Sequence, residues 1–446
     1  MRDLLLVLFI FGMLPVVLFK PRLGILLWAW ISYMNPHRLT WSYAYNFRFN
    51  FIVAIATLIG IWFARDIYKR IPWTPTTVLW LLFIGWTSVT TYTAFNTGSA
   101  NWEWFRFHKI QLMIACTFFL IDDRKWLHYL AWVIAFSIGF WGLKGGFFTL
   151  LHGGAHHVYG PAISFISDNN ALALALVITV PLMRYLQLHT PNKLIRLVLI
   201  VTMALSSAAI LGSYSRGGFL GAGVLAVAFW LKNRHKWLLG LVMIIGIGLL
   251  LNFMPPKWQE RMEDIFKEEE ILDDLSVSGR FIAWNFALEV VKDRPLIGTG
   301  FRGFSYKTYA IYSPENWARD AHSIYFEVLA EQGIPGLTLF VLMYLFTFQS
   351  GRWVIKNTKD RPELIWANDL AAMLQVSLVG YAVAGAFLGL AYFDLPYHFM
   401  AMVMITRRIV EKELSLGTTT RTVQKKTEAS RSIFSDRTRP FTKPTR

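Results

Sequence analysis

The sequence predicts an all-α polytopic membrane protein. Three observations carry that expectation: 55% of the 446 residues are hydrophobic and only 16% charged, mean hydropathy is +0.41, and apolar runs recur along most of the chain. The runs at 3–19, 23–34, 51–64, 77–94, 109–121, 127–151, 169–185, 196–212, 217–232, 237–253, 337–351, 366–390 and 393–409 suggest about 12 crossings. The first run, Leu4 to Phe19, has no small-residue cleavage site and is followed at once by others, so it reads as a retained helix rather than a signal peptide. The one cysteine, Cys116, leaves no partner for an intramolecular disulfide.

The runs divide the chain into a transmembrane bundle over 1–253, a large polar loop over 254–336, further transmembrane helices over 337–410, and a Ser/Thr-rich basic tail over 411–446 that is expected to be disordered and cytoplasmic. The net charge of +16 suggests nucleic acid in a soluble domain, but its distribution points elsewhere. The loop carries nine basic and fourteen acidic residues, leaving 35 basic and 14 acidic in the remainder. An acidic large loop and short basic links are the pattern of a chain whose loop is outside and whose links face the cytoplasm, with membrane lipids and not nucleic acid as its surroundings. An inside N-terminus follows if the first 50 residues cross once. Trp28, Trp30, Tyr33, Trp41 and Tyr43 read as an interfacial aromatic belt.

Within the loop, Trp258, Met262, Ile265 and Phe266 have the spacing of an amphipathic helix on the outer leaflet. A second helix is expected to start after Ser278 and end before Pro295. A third is expected to start at Asp320 as N-cap and stop at Gly333, with Pro335 just beyond. Upstream, Ser213 and Ser215 precede Arg216 and a glycine-rich run. Arg216, Arg280 and His322 then all fall in first turns on one side of the membrane. Helix N-termini with two arginines suit a diphosphate, and the same dipole favours the neutral imidazole that a general base requires. The chemistry so described is displacement of a diphosphate by a hydroxyl, with Arg216 and Arg280 on the leaving group and His322 taking the proton. It needs no cofactor and no metal.

On their residues alone, the arginines serve equally as interfacial anchors, and a lone histidine at a helix start is more often structural. Convergence in space decides between the readings. Asp320, Ser278 and Tyr325 are supporting candidates, and Lys144, costly in an apolar run unless it faces a cavity, is a candidate for a substrate path. GTGFRG (Gly298 to Gly303) lacks a strand–helix–strand context and reads as a turn, not a nucleotide site. His152, His156 and His157 read as solvent-facing loop residues, with metal: none as the expectation.

At SRGG with Arg216, SGR with Arg280, GTGFRGF, and His322-Ser-x-Tyr325 followed by Glu331-x-Gly333-x-x-Gly336, the chain resembles the O-antigen ligase and polymerase superfamily. MNPHRLTW (Met34 to Trp41) is similar to the branch of O-glycosylation ligases associated with exosortase systems. His322-Ser stands where many members have His-Asn. The resemblance implies an inner-membrane glycosyltransferase open to the periplasm. It would take a glycan from undecaprenyl diphosphate and pass it, with inversion and without metal, to an acceptor hydroxyl. Arg216 and Arg280 would hold the diphosphate and His322 would act as base. The leading acceptor is lipid A-core lipopolysaccharide, ahead of a protein Ser or Thr and a growing polysaccharide. A transporter of the lipid-linked glycan, which needs no base, is the reading from another class.

Overall fold

The computed structural model describes residues 1–64, 71–232, 236–263 and 275–436. Among them are sixteen α-helices and no strand. The first eight are α1 (Arg2–Phe19), α2 (Pro21–Met34), α3 (Phe49–Phe63), α4 (Pro75–Tyr92), α5 (Thr97–Leu120), α6 (Arg124–Leu151), α7 (Asn169–His189) and α8 (Lys193–Gly212). The rest are α9 (Arg216–Lys232), α10 (Lys236–Phe253), α11 (Pro256–Glu263), α12 (Leu275–Asp293), α13 (Tyr306–Tyr312), α14 (Ile324–Thr358), α15 (Ile365–Gly385) and α16 (Asp394–Asp436). Among the described residues, six of these (α1, α6, α7, α8, α14, and α15 with the turn before it) are long and apolar enough to cross a membrane. The count of about 12 includes helices too short or too polar on that measure, α2 and α5 among them.

A helix that is apolar all round belongs inside a bundle, and α7 is the clearest case, with 17 of its 21 residues buried. Beside it, α6 and α8 approach closely through small residues. A Cβ on Gly146 would lie 2.1 Å from the Leu205 carbonyl oxygen, and one on Gly142 equally near Ser206 Oγ. Trp28 and Tyr33 are core residues of this assembly rather than members of a belt, with Tyr33 Oη hydrogen-bonded to His398, whereas Trp41 and Tyr43 are exposed.

The two ends of the bundle have different fastenings. At one end Arg22 pairs with Asp122 at 2.8 Å, His189 meets Asp369 at 3.0 Å, and Arg408 donates to the carbonyls of Phe118 and Ile121. At the other end, the Asp3 carboxylate accepts the backbone N–H groups of Ser42 and Ala44 at 3.0 and 3.2 Å. The N-terminal residues therefore share an end with the Asn35–Asn50 loop. Helices α1 and α2 form a hairpin with Lys20 at its turn, and of the two α1 alone is long and apolar enough to cross a membrane.

Several helix boundaries also differ from expectation. Trp258 and Met262 of α11 are buried against Tyr214 and Met254, with Trp258 donating to the Leu211 carbonyl at 2.9 Å, so these two close off the end of α8 instead of lying on a leaflet; Ile265 and Phe266 lie outside the described residues. Helix α12 begins at Leu275, ahead of Ser278, and the N-cap position of α14 is held by Ser323, not Asp320. Helix α16 extends from Asp394 to Asp436 through a stretch that contains no proline after Pro396, and residues 437–446 lie outside the described ones.

The break expected at Gly333 is present: its φ of 69° and ψ of −174° divide α14 into a short arm before it and a long arm that continues past Pro335. The carbonyls freed there are not left bare. Thr299 and Gly300 donate their N–H groups to Ala330 and Glu331 at 2.8 and 2.9 Å, Ile334 donates to Pro295 at 2.8 Å, and the Glu331 carboxylate accepts the Gly303 N–H at 3.0 Å. GTGFRG is thus the turn that receives the kink. A Cβ on Gly333 would stand 2.1 Å from the Leu296 carbonyl oxygen. Gly333→Ala is expected to cost roughly 3 kcal/mol and lower the melting temperature of the purified protein, while Gly223→Ala, with open space at its Cα, leaves it unchanged.

Candidate active site

Serines do the local work at the start of α9. Tyr214 takes a left-handed conformation (φ 59°) and donates its hydroxyl to the Gly154 carbonyl at 2.8 Å, which turns the chain sharply after α8. Ser215 Oγ then accepts the Gly218 N–H at 3.0 Å as a true N-cap, leaving Arg216 as the first residue of α9, 7% exposed. A Cβ at Gly218 would meet that of Ala173 at 2.7 Å, so the glycine lets α9 lie against α7. The start of α7 is itself capped, Asp168 Oδ1 accepting the N–H of Asn170 at 2.9 Å, and Asn169 donates to the Ser213 carbonyl at 2.6 Å. Two helix N-termini consequently stand side by side.

Helix α12 and the segment before α14 supply the opposite wall. Phe286 stacks on Tyr309 with centroids 4.2 Å apart, and Tyr309 Oη donates to the Arg319 carbonyl at 3.2 Å. Trp284 stacks on Phe326 and donates its indole N–H to the Ala321 carbonyl at 3.1 Å. These two aromatic anchors hold Arg319, Asp320 and His322 in order. His322 itself has φ 45°, a left-handed conformation that costs on the order of 1 kcal/mol for a residue with a Cβ. Gly279 completes the wall: a Cβ there would lie 2.4 Å from Arg319 Nη1, so the missing side chain makes room for a guanidinium beside Arg280.

Between the walls lies a cavity of about 340 Å³, lined by Arg216, Arg280, Arg319, Asp320, His322 and Asn170 together with Gly279, Phe304 and Ala318. The three residues singled out from sequence as the diphosphate and base positions meet here, with Asp320 at the rim. The route differs from the one expected. Arg280 is the sixth residue of α12 rather than a first-turn residue, and His322 precedes its helix, so the N-termini that converge are those of α7 and α9. The other candidates go elsewhere. Ser278 is half-buried on α12 and not among the lining residues. Tyr325 turns away to donate to the Ala382 carbonyl at 3.0 Å. Lys144 is exposed, its Nζ 5.1 Å from the Trp141 ring centroid, two turns from the end of α6 where a long side chain snorkels, and it is not among the residues lining this cavity. His157 packs on Tyr214 at 4.5 Å, apart from the His152–His156 pair.

Arg319 and Asn170 were missed by the sequence reading. Arg319 is adjacent to Asp320 in RDAHS, and its position after a loop proline gave no helical register; the room at Gly279 is visible only in three dimensions.

Among the described residues lining the cavity are three guanidinium groups and one carboxylate, and with the two helix N-termini this is an arrangement suited to an anion bearing more than one charge. The His322 imidazole is held below its ordinary range chiefly by burial and next by the Arg280 charge, with Asp320 and Asp168 opposing. It is therefore neutral at pH 7 and able to accept a proton.

Residues 201–341 match the model of the O-antigen ligase family, and residues 1–214 match a family described only as one of unknown function. The first match spans Arg216, Arg280, Arg319 and His322, and supports the O-antigen ligase superfamily for this chain. No curated protein matches the chain.

Inorganic pyrophosphate is expected to bind the purified protein, measured by isothermal titration at low salt, and Arg280→Ala or Arg319→Ala each to weaken it at least ~10-fold, the value of one charge-assisted hydrogen bond.

Proposed function

From a chain whose residues 201–341 carry an O-antigen ligase domain, we propose a membrane glycosyltransferase that moves a glycan from undecaprenyl diphosphate to a sugar hydroxyl of the lipid A core, on the periplasmic side of the bacterial inner membrane. The observation that carries this reading is the meeting of Arg216, Arg280, Arg319 and His322 in one cavity at one end of the bundle.

The chemistry follows from the charges. The acceptor hydroxyl attacks the anomeric carbon as its proton passes to the neutral His322 imidazole. The bond from that carbon to the diphosphate oxygen breaks, and the electron pair leaves on the diphosphate. Three guanidinium groups and the N-termini of α7 and α9 meet the charge that grows there, in a site where they are already oriented. Asp320 at the rim balances the imidazolium once formed. An end for this site is suggested by the basic residues of the opposite one, where Arg22, Arg124, Lys193 and Arg196 gather as the positive-inside rule requires of a cytoplasmic face.

The test is transfer by the purified protein in nanodiscs, from an undecaprenyl-diphosphate glycan to rough lipopolysaccharide, with chelator present. Transfer is expected to persist with chelator and to be lost on His322→Ala. Unchanged transfer in that variant overturns the base assignment, and donor binding without transfer to this acceptor directs the search to a protein or polysaccharide hydroxyl. The acid limb of kcat/KM is expected below pH 6.5, the ordinary histidine value. Removing the nearby cation in Arg280→Ala should move that limb to higher pH, and Asp320→Asn, which removes an opposing anion, should move it lower.

A further inference from the structure

A second cavity, of about 820 Å³, lies in the N-terminal part of the chain, among α2, α3, α5 and the loop from Asn35 to Asn50. It is at the same end of the bundle as the first, because Ile163, Ser164 and Phe165 in its wall belong to the loop that leads into Asn170.

Its two walls are chemically opposite. One is apolar and continuous with the outside of the bundle: Phe51 and Ile55 of α3 and Leu112 of α5 are 53%, 41% and 47% exposed. On a membrane protein that surface faces acyl chains. The other wall carries Arg38, Arg48, Arg106 and Lys109 against one lining carboxylate, Asp394. Arg106 is bonded to Glu103 at 3.3 Å, whereas no carboxylate among the described residues lies within salt-bridge distance of Arg48 or Lys109.

The loop is built rather than adventitious, tied down by Asp3 and by Arg38 donating to the Tyr45 carbonyl at 3.0 Å. Yet it holds unmet hydrogen-bonding capacity. His37 is 9% exposed with Nδ1 unpartnered, and Arg38 Nε and Asn50 Oδ1 are also unpartnered. Three of the eight such buried side-chain atoms among the described residues thus belong to one cavity wall. Each uncompensated group costs about 1–3 kcal/mol, a strain this loop carries within its wall, and the polar groups open to a ligand are the exposed Arg48 and Lys109 side chains.

We propose that this groove binds a membrane lipid with a phosphate-bearing anionic headgroup, its acyl chains along Phe51, Ile55 and Leu112 and its phosphate between Arg48 and Lys109. The site is independent of the transferase reading.

Native mass spectrometry of the full chain released from detergent tests it, with phosphatidylglycerol, phosphatidylcholine of the same chains, and glycerol phosphate as probes. Phosphatidylglycerol is expected to form a one-lipid adduct at a concentration at least ~10-fold lower than phosphatidylcholine, as for one charge-assisted contact. Arg48→Gln with Lys109→Gln should abolish that preference, and Leu112→Trp, which fills the groove without changing charge, should weaken both lipids. The pair Arg216→Gln and Arg280→Gln, in the other cavity, should leave the adduct intact. Equal binding of the two lipids, retention of the preference in the Arg48/Lys109 variant, or its loss in the Arg216/Arg280 variant would overturn the proposal, as would glycerol phosphate binding as tightly as the lipid. Arg48 and Lys109 are exposed, so an unchanged melting curve separates lost binding from lost folding.

Discussion

Inside a membrane protein a helix can be broken only where something else takes up the backbone groups it releases, and that constraint governs the architecture around Gly333. The turn from Pro295 to Gly303 supplies two N–H groups and one carbonyl to the two arms of α14. With the break satisfied, the short arm can point away from the long one and present His322 at its start. The order of the site residues in the chain follows from this. The receiving turn has to precede the broken helix closely, and α12, which packs on the short arm through Trp284 and Phe326, has to precede the turn. Arg280 arrives opposite His322 because it rides on that same helix.

Arg216 comes from far earlier in the chain, and its position rests on α7. A helix buried along most of its length cannot shift without repacking its neighbours, so its capped N-terminus is a fixed point. Gly218 allows α9 to register against it, which brings Arg216 level with Asn170. The cavity is therefore bounded by one wall fixed in the bundle core and another hung from aromatic stacks at its end.

Much of this was legible in the sequence because it depends on local rules. Serines before Arg216 announce a cap, and Gly333 with Pro335 announces a break. The reading failed where long-range packing prevails over local pattern. Ser278 resembles a cap, but α12 starts a turn earlier; Lys144 resembles a buried charge, but the helix end is close enough for it to reach out; Trp28 and Tyr33 resemble a belt, but tertiary contacts bury them. Arg319 was out of reach because its placement depends on a side chain that is absent, at Gly279, forty residues upstream.

The receiving turn also has a second attachment. Arg302, within it, pairs with Glu103 on α5 at 2.9 Å, and Glu103 is the same carboxylate that holds Arg106 in the wall of the other cavity. One acid is thus shared between a residue of the kink and a residue of the groove. Glu103 therefore fastens the receiving turn and the groove wall to the same point of α5, so its loss would release Arg302 and Arg106 together.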